Sequence, residues 1–186
     1  MLRAEGKVRT AKAGGSDPVN YSDFVTAKLG VVRSHGIDVR SLDYPLFPHQ
    51  RDLTMWALRR GRAAIFADTG LGKSRMQLAW ADTVRRMTGN DVLILAPLAV
   101  AEQTAEEGRA IGVDVNHARD GAEVRKGITI TNYDRLHRFD VSSFGGVVLD
   151  ESSIIKHHAA KTLQTLLDAF RNTPYKLACT ATPGPE

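Results

Sequence analysis

Residues 66 to 74 read FADTGLGKS, which sets two glycines, Gly70 and Gly72, directly ahead of a cation, Lys73, and a hydroxyl, Ser74. Glycine lets a loop turn tightly round an anion and approach it closely. Lys73 adds a full positive charge for terminal phosphates, and Ser74 can put its hydroxyl on a magnesium ion. Asp68, Thr69 and Leu71 complete the loop. Its first position departs from the G-x-x-x-x-G-K-[ST] pattern, with Ala67 in place of glycine. The bland alternative is a glycine-rich turn before an ordinary helix.

A second set of chemical groups stands at GGVVLDESS, residues 145 to 153, where Asp150 and Glu151 follow an apolar run. Hydrolysis of a phosphoanhydride needs one carboxylate to hold magnesium and another to orient and polarise the attacking water. Asp150 suits the first role and Glu151 the second. Adjacent acids are also common on solvated surfaces, so the pair gains meaning from the strand-like residues before it.

The elements that must position these groups follow from the hydrophobic pattern. Short apolar runs at 63 to 67, 92 to 96, 127 to 131, 146 to 150 and 176 to 181 read as strands. Helical patterns cover 74 to 88, 99 to 111 and 159 to 171, with Gly89 and Gly112 where helices stop. Strands that are apolar on nearly every residue are buried on both faces, so the expected fold is α/β, with a mostly parallel sheet and helices on both sides. Ligands of such sheets lie beyond the carboxyl ends of the strands, and both sets of chemical groups fall at such ends.

The chain has 186 residues, 42% of them hydrophobic and 25% charged, enough for one full-sized domain with a real core. A single cysteine, Cys179, excludes an internal disulfide and a multi-cysteine metal centre. No apolar stretch approaches the roughly 20 residues that span a bilayer, and no apolar signal core begins the chain, so the expected setting is cytoplasmic, without a membrane partner. The net charge of +4 permits a polyanionic partner without requiring one. Residues 1 to 20 read as a flexible basic arm and 21 to 43 as an accessory region with a helix over 22 to 34. The main lobe is placed at 44 to 186.

In order along the chain, FPHQ (47 to 50), ADTGLGKS (67 to 74), LAPLAVAEQ (95 to 103), ITNYDRL (130 to 136), LDES (149 to 152) and TATP (180 to 183) resemble motifs of superfamily 2 helicases and translocases, with a Swi/Snf-like flavour. The match spans residues 47 to 183. It implies a RecA-like P-loop NTPase lobe that uses ATP and Mg2+. Gln50 resembles the glutamine that reads the two-sided edge of adenine. Phe47 and Arg51 flank the base on this reading; on the bland one Phe47 is a core aromatic at a helix entry and Arg51 a solvated arginine. Pro97, Leu98 and Gln103, together with Thr131, Asn132 and Tyr133, are implied contacts to a phosphodiester backbone, DNA rather than RNA. Thr180 and Thr182 resemble hydroxyls coupling the nucleotide and nucleic-acid sites, or else simply close a β-strand.

The acidic motif departs from the family pattern in its Ser152-Ser153 ending, so Ser153 cannot supply the acid or imidazole some relatives place there. The resemblance also implies a second RecA-like lobe carrying an arginine finger, which the chain does not encode. Expected activity is therefore that of the first lobe of an ATP-driven helicase or translocase, weak in turnover alone. Two alternatives stay open: an ATP-responsive nucleic-acid-binding module without turnover, and a P-loop phosphotransferase. His157, His158, Trp56, Trp80 and Cys179 carry no catalytic spacing, and packing is the default for both tryptophans and Cys179.

Overall fold

The computed structural model describes residues 35–152 and 160–181. The basic arm, the helix expected at 22 to 34, Ser153, His157, His158 and Thr182 lie outside them. The described elements run α1 (Pro48–Arg60), β1 (Arg62–Phe66), α2 (Lys73–Thr88), β2 (Val92–Ala96), α3 (Leu98–Ala110), β3 (Val115–His117), β4 (Ile128–Asn132), β5 (Gly146–Leu149), α4 (Ala160–Ala169) and β6 (Tyr175–Thr180). Short 3-10 turns, Tyr133–Arg138 the longest, fill the connections after β3 and β4.

The sheet is parallel throughout, in the order β1-β6-β5-β2-β4-β3. Parallel pairing aims every strand's carboxyl end at one edge, so the segments after β1, β2, β4 and β5 gather there. Burial follows the strand period of two. Val92, Ile94, Ala96, Val148 and Leu177 face a core closed by α1, α2 and α3, whereas Leu93, Leu95 and Val147 face a smaller one with Leu166 and Phe170 around α4.

Helix α2 is the central packing element. Met76 to Val84 are all buried, including Trp80, which is fully enclosed. A helix apolar on nearly every side belongs in the interior. It ends at Gly89 in the left-handed region, with Arg85 and Arg86 in its last turn beside the negative end of the helix dipole. Helix α1 opens with Pro48 in its first turn, and the Gln50 carboxamide accepts from the Phe47 N–H at 3.1 Å.

The core includes Ile37, Val39 and Leu42, and residues 35 to 43 pack against it without helical structure. Trp56, in the third turn of α1, is 43% exposed and Phe47, at the helix N-cap, 64% exposed, so the core reading of each does not hold. Strand β3 and the 3-10 turns carry too few apolar residues to stand out in the sequence. Among the described residues no helix is long and apolar enough to cross a membrane.

Candidate nucleotide site

The loop between β1 and α2 is held at its base by the Ala67 N–H, which donates to Thr180 O at 3.2 Å. Ala67 is buried and keeps an ordinary negative φ, which is why alanine serves where the pattern has glycine. Gly72 has φ 76°, and a Cβ there would lie 2.3 Å from Gln50 Nε2. Both facts demand glycine. Beyond it α2 begins at Lys73 with no side chain capping its N-terminus, so its first N–H groups and the positive dipole end are presented to the loop. Lys73 Nζ lies across the loop, donating to Ala67 O at 2.9 Å and Asp68 O at 3.3 Å. Asp68, Thr69, Gly70 and Leu71 are exposed, and Ser74 is half-buried in the first turn of α2.

Strand β6 lies between β1 and β5, so the acidic tip sits one strand beyond the loop on the same edge. Asp150 is 6% exposed and tightly held. Its N–H donates to Leu95 O at 2.8 Å and its carbonyl accepts from Tyr133 Oη at 2.7 Å. Its Oδ1 accepts from Gln77 Nε2 at 2.5 Å and from the Glu151 N–H at 2.9 Å. Burial raises the Asp150 carboxyl above the usual aspartate value, while the bonds from Gln77 and Glu151 and the nearby Lys73 charge pull it back. Burial likewise raises the Tyr133 phenol and pushes the Cys179 thiol up to about 12, leaving both neutral.

Glu151 is the one non-glycine residue at positive φ, 48°, among the described residues. Such backbone strain persists where surrounding bonds over-determine it. Here the neighbouring Ser152 N–H is tied to Cys179 O at 2.9 Å, and Glu151 Oε1 accepts from Thr180 Oγ1 at 3.1 Å. The result aims a half-buried carboxylate from the strand tip toward the edge shared with the loop.

The residues fit a magnesium nucleotide. Uncapped N–H groups and a lysine converge on one loop, beside a buried carboxylate held by neutral donors. No group of three acidic, histidine or cysteine side chains that could hold a metal is present among the described residues.

The remaining expected residues divide by exposure. Leu98 and Gln103 are exposed and Pro97 half-buried at the N-terminus of α3. Thr131 and Asn132 are buried instead, and the Asn132 side chain accepts from the Arg135 N–H at 3.1 Å to start the 3-10 turn. Their side chains shape the β4 tip and do not face solvent. Gln50 is 3% exposed, with Nε2 on Leu71 O at 3.0 Å. It therefore braces the loop through the Leu71 carbonyl. The Phe47 and His49 rings stack nearly parallel, at an interplanar angle of 7° with centroids 6.1 Å apart. Arg51 Nε is buried with no hydrogen-bond partner among the described residues, unlike a solvated arginine. Sequence reasoning missed Gln77, whose signal is a polar side chain inside the apolar run MQLAWA one turn after Lys73.

The sheet order is that of a RecA-like α/β lobe, a fold shared with solved helicase and SWI2/SNF2 ATPase structures. The UvsW helicase from bacteriophage T4 is similar in structure, with TM-score 0.65 and 15% identity, over 89% of this chain and 61% of that one. So are the Sulfolobus solfataricus SWI2/SNF2 ATPase core in complex with dsDNA, with TM-score 0.60 and 21% identity over 79% of this chain and 34% of that one, and the Pyrococcus furiosus Hef helicase domain, with TM-score 0.60 and 18% identity over 74% and 34%. The chain thus spans less than two thirds of the length of each. No protein-family model matches the chain, and no curated protein is found similar to it.

Proposed function

We propose that this chain is the ATP-binding first lobe of a nucleic-acid-dependent motor, a DNA helicase or translocase. One observation carries the reading: Lys73 and the uncapped N-terminus of α2 share a sheet edge with Asp150 and Glu151, and α2 itself bonds Asp150 through Gln77.

On this reading the N–H groups of the loop and Lys73 hold the phosphates, and Ser74 and Asp150 hold magnesium. Magnesium, when bound, supplies positive charge to the phosphate oxygens. Glu151 orients a water in line with the terminal phosphorus and takes its proton as the new P–O bond forms and the bond to the bridging oxygen breaks. Thr180 keeps Glu151 in place. Gln50 and Phe47 receive adenine, with Arg51 behind them. The exposed N-terminus of α3, with Pro97, Leu98 and Gln103, meets a DNA backbone, because helix N-termini and loop groups position a strand without reading its sequence. Thr180, together with Thr182, couples the two sites. A second RecA-like lobe supplies the arginine that completes turnover, in keeping with the 61% or less of each similar structure that the chain spans.

The test is binding of a fluorescent ATP analogue in Mg2+ by the wild type and by Lys73→Ala. Affinity at least about tenfold weaker in the variant is expected, since the lysine makes charge-assisted bonds. Equal affinity overturns the site. DNA retention on a filter, measured beside phosphate release with the second lobe joined, separates the motor from its rivals. DNA-stimulated release supports the motor, binding without release the responsive module, and release driven by a small acceptor the phosphotransferase.

A further inference from the structure

We propose that Gln77 is a positioning residue for metal binding: it turns the Asp150 carboxylate so that one chosen oxygen is offered to a divalent cation. This inference rests on the nucleotide reading above.

Residue 77 follows Lys73 by one helical turn, so α2 carries the phosphate-facing lysine and the carboxylate's donor on one face. Its side chain is fully buried. Nε2 donates to Asp150 Oδ1 at 2.5 Å, and the same oxygen accepts from the Glu151 N–H at 2.9 Å. Two donors on one oxygen fix the rotation of the carboxylate and leave Oδ2 with its lone pairs to offer. A monodentate oxygen held in one direction suits magnesium, which demands near-octahedral geometry.

The chemistry of the donor matters. An amide N–H orients the carboxylate without cancelling its charge, whereas lysine or arginine at this place would neutralise the group meant to attract a cation. Glutamine also carries a cost. Its Oε1 is buried with no hydrogen-bond partner among the described residues. An apolar side chain of the same length would avoid that penalty but would take a donor from the buried Asp150 carboxylate, so glutamine is kept for what it does to Asp150. The Cys179 thiol from β6 interacts with the same carboxamide. Neighbours of a metal ligand commonly set affinity through the ligand they hold.

The test uses Gln77→Met, which keeps the length and drops the amide, and Gln77→Asn, which keeps the donor but withdraws it by one methylene. Binding of a fluorescent ATP analogue is measured against Mg2+ concentration and again in EDTA, and thermal midpoints report folding. In both variants the Mg2+ concentration for half-maximal effect is expected to rise about tenfold or more, with metal-free nucleotide affinity unchanged. The thermal midpoint of Gln77→Met is expected to fall modestly, because Asp150 loses a buried donor, and only folded protein is compared. If Gln77→Met does not fold, Gln77→Asn alone decides. An unchanged Mg2+ dependence in a folded variant overturns the proposal. A wild type that binds no nucleotide in either condition overturns the nucleotide reading, and this inference with it.

Discussion

The Tyr133 hydroxyl donates to the main-chain carbonyl of Asp150 at 2.7 Å, tying the tip of β4 to the acidic tip of β5 across the intervening β2. The ring also lines an apolar hollow with Leu136, Phe139 and Leu166. Tyr133→Phe keeps that packing and removes one buried bond. A loss of about 1 kcal/mol in urea unfolding is expected, with nucleotide affinity kept within a few-fold. A loss near zero would mean the bond is replaced by water.

Gly72→Ala meets two obstacles at once. A side chain at φ 76° is strained, and its Cβ would displace Gln50 Nε2, 2.3 Å away. The variant is expected to lose about 1–2 kcal/mol from the backbone alone. Moving Gln50 also removes the brace on Leu71, so discrimination between ATP and GTP in a competition assay should fall.

Glu151 offers an inverted comparison. At ordinary φ, alanine is more stable than glycine by roughly 0.5–1 kcal/mol. At φ 48° the order should reverse, so Glu151→Gly should be more stable than Glu151→Ala in chemical denaturation. Glu151→Gln, which keeps the shape and an acceptor for Thr180, should retain nucleotide binding and lose hydrolysis in a two-lobed protein.

The raised carboxyl of Asp150 makes a prediction about pH. Between its unfolded value and the higher folded one, the folded chain holds the proton more firmly than the unfolded chain does. Stability from this group is therefore present below the unfolded value and lost as pH rises through the folded one. Asp150→Asn removes the titration. Its thermal midpoint should exceed that of the wild type at neutral pH, and the gap should close as pH falls toward about 4, the ordinary aspartate range. A gap independent of pH would mean that burial does not penalise the charge.

Much of the fold was legible because apolar runs such as VLILA are unambiguous in length and composition, and β2 spans the residues expected for it. Glycine marked where α2 stops, and the Lys-Ser step marked where it begins. Legibility failed where side chains act through geometry. Thr131 and Asn132 looked available for a phosphodiester, yet the strand period and a 3-10 cap turn them inward. Gln77 passed unnoticed because a lone polar residue in an apolar helix acquires meaning only when a distant strand brings a carboxylate to it. Phe47 and Trp56 show the converse, since aromatic character alone does not reveal which side of α1 faces the core.

Strand β1 pairs with β6 and with no other strand among those described. The strand that leads into the lysine loop therefore has no neighbour until a partner more than a hundred residues later slots between it and β5. During synthesis the loop would emerge early and wait, its host strand packed only against α1 and unpaired in the sheet, while β2, β4 and β5 can already assemble. Nucleotide capture should thus be the last competence a nascent chain acquires, and pulse-labelled refolding should find β1 amides protected only in the slowest phase.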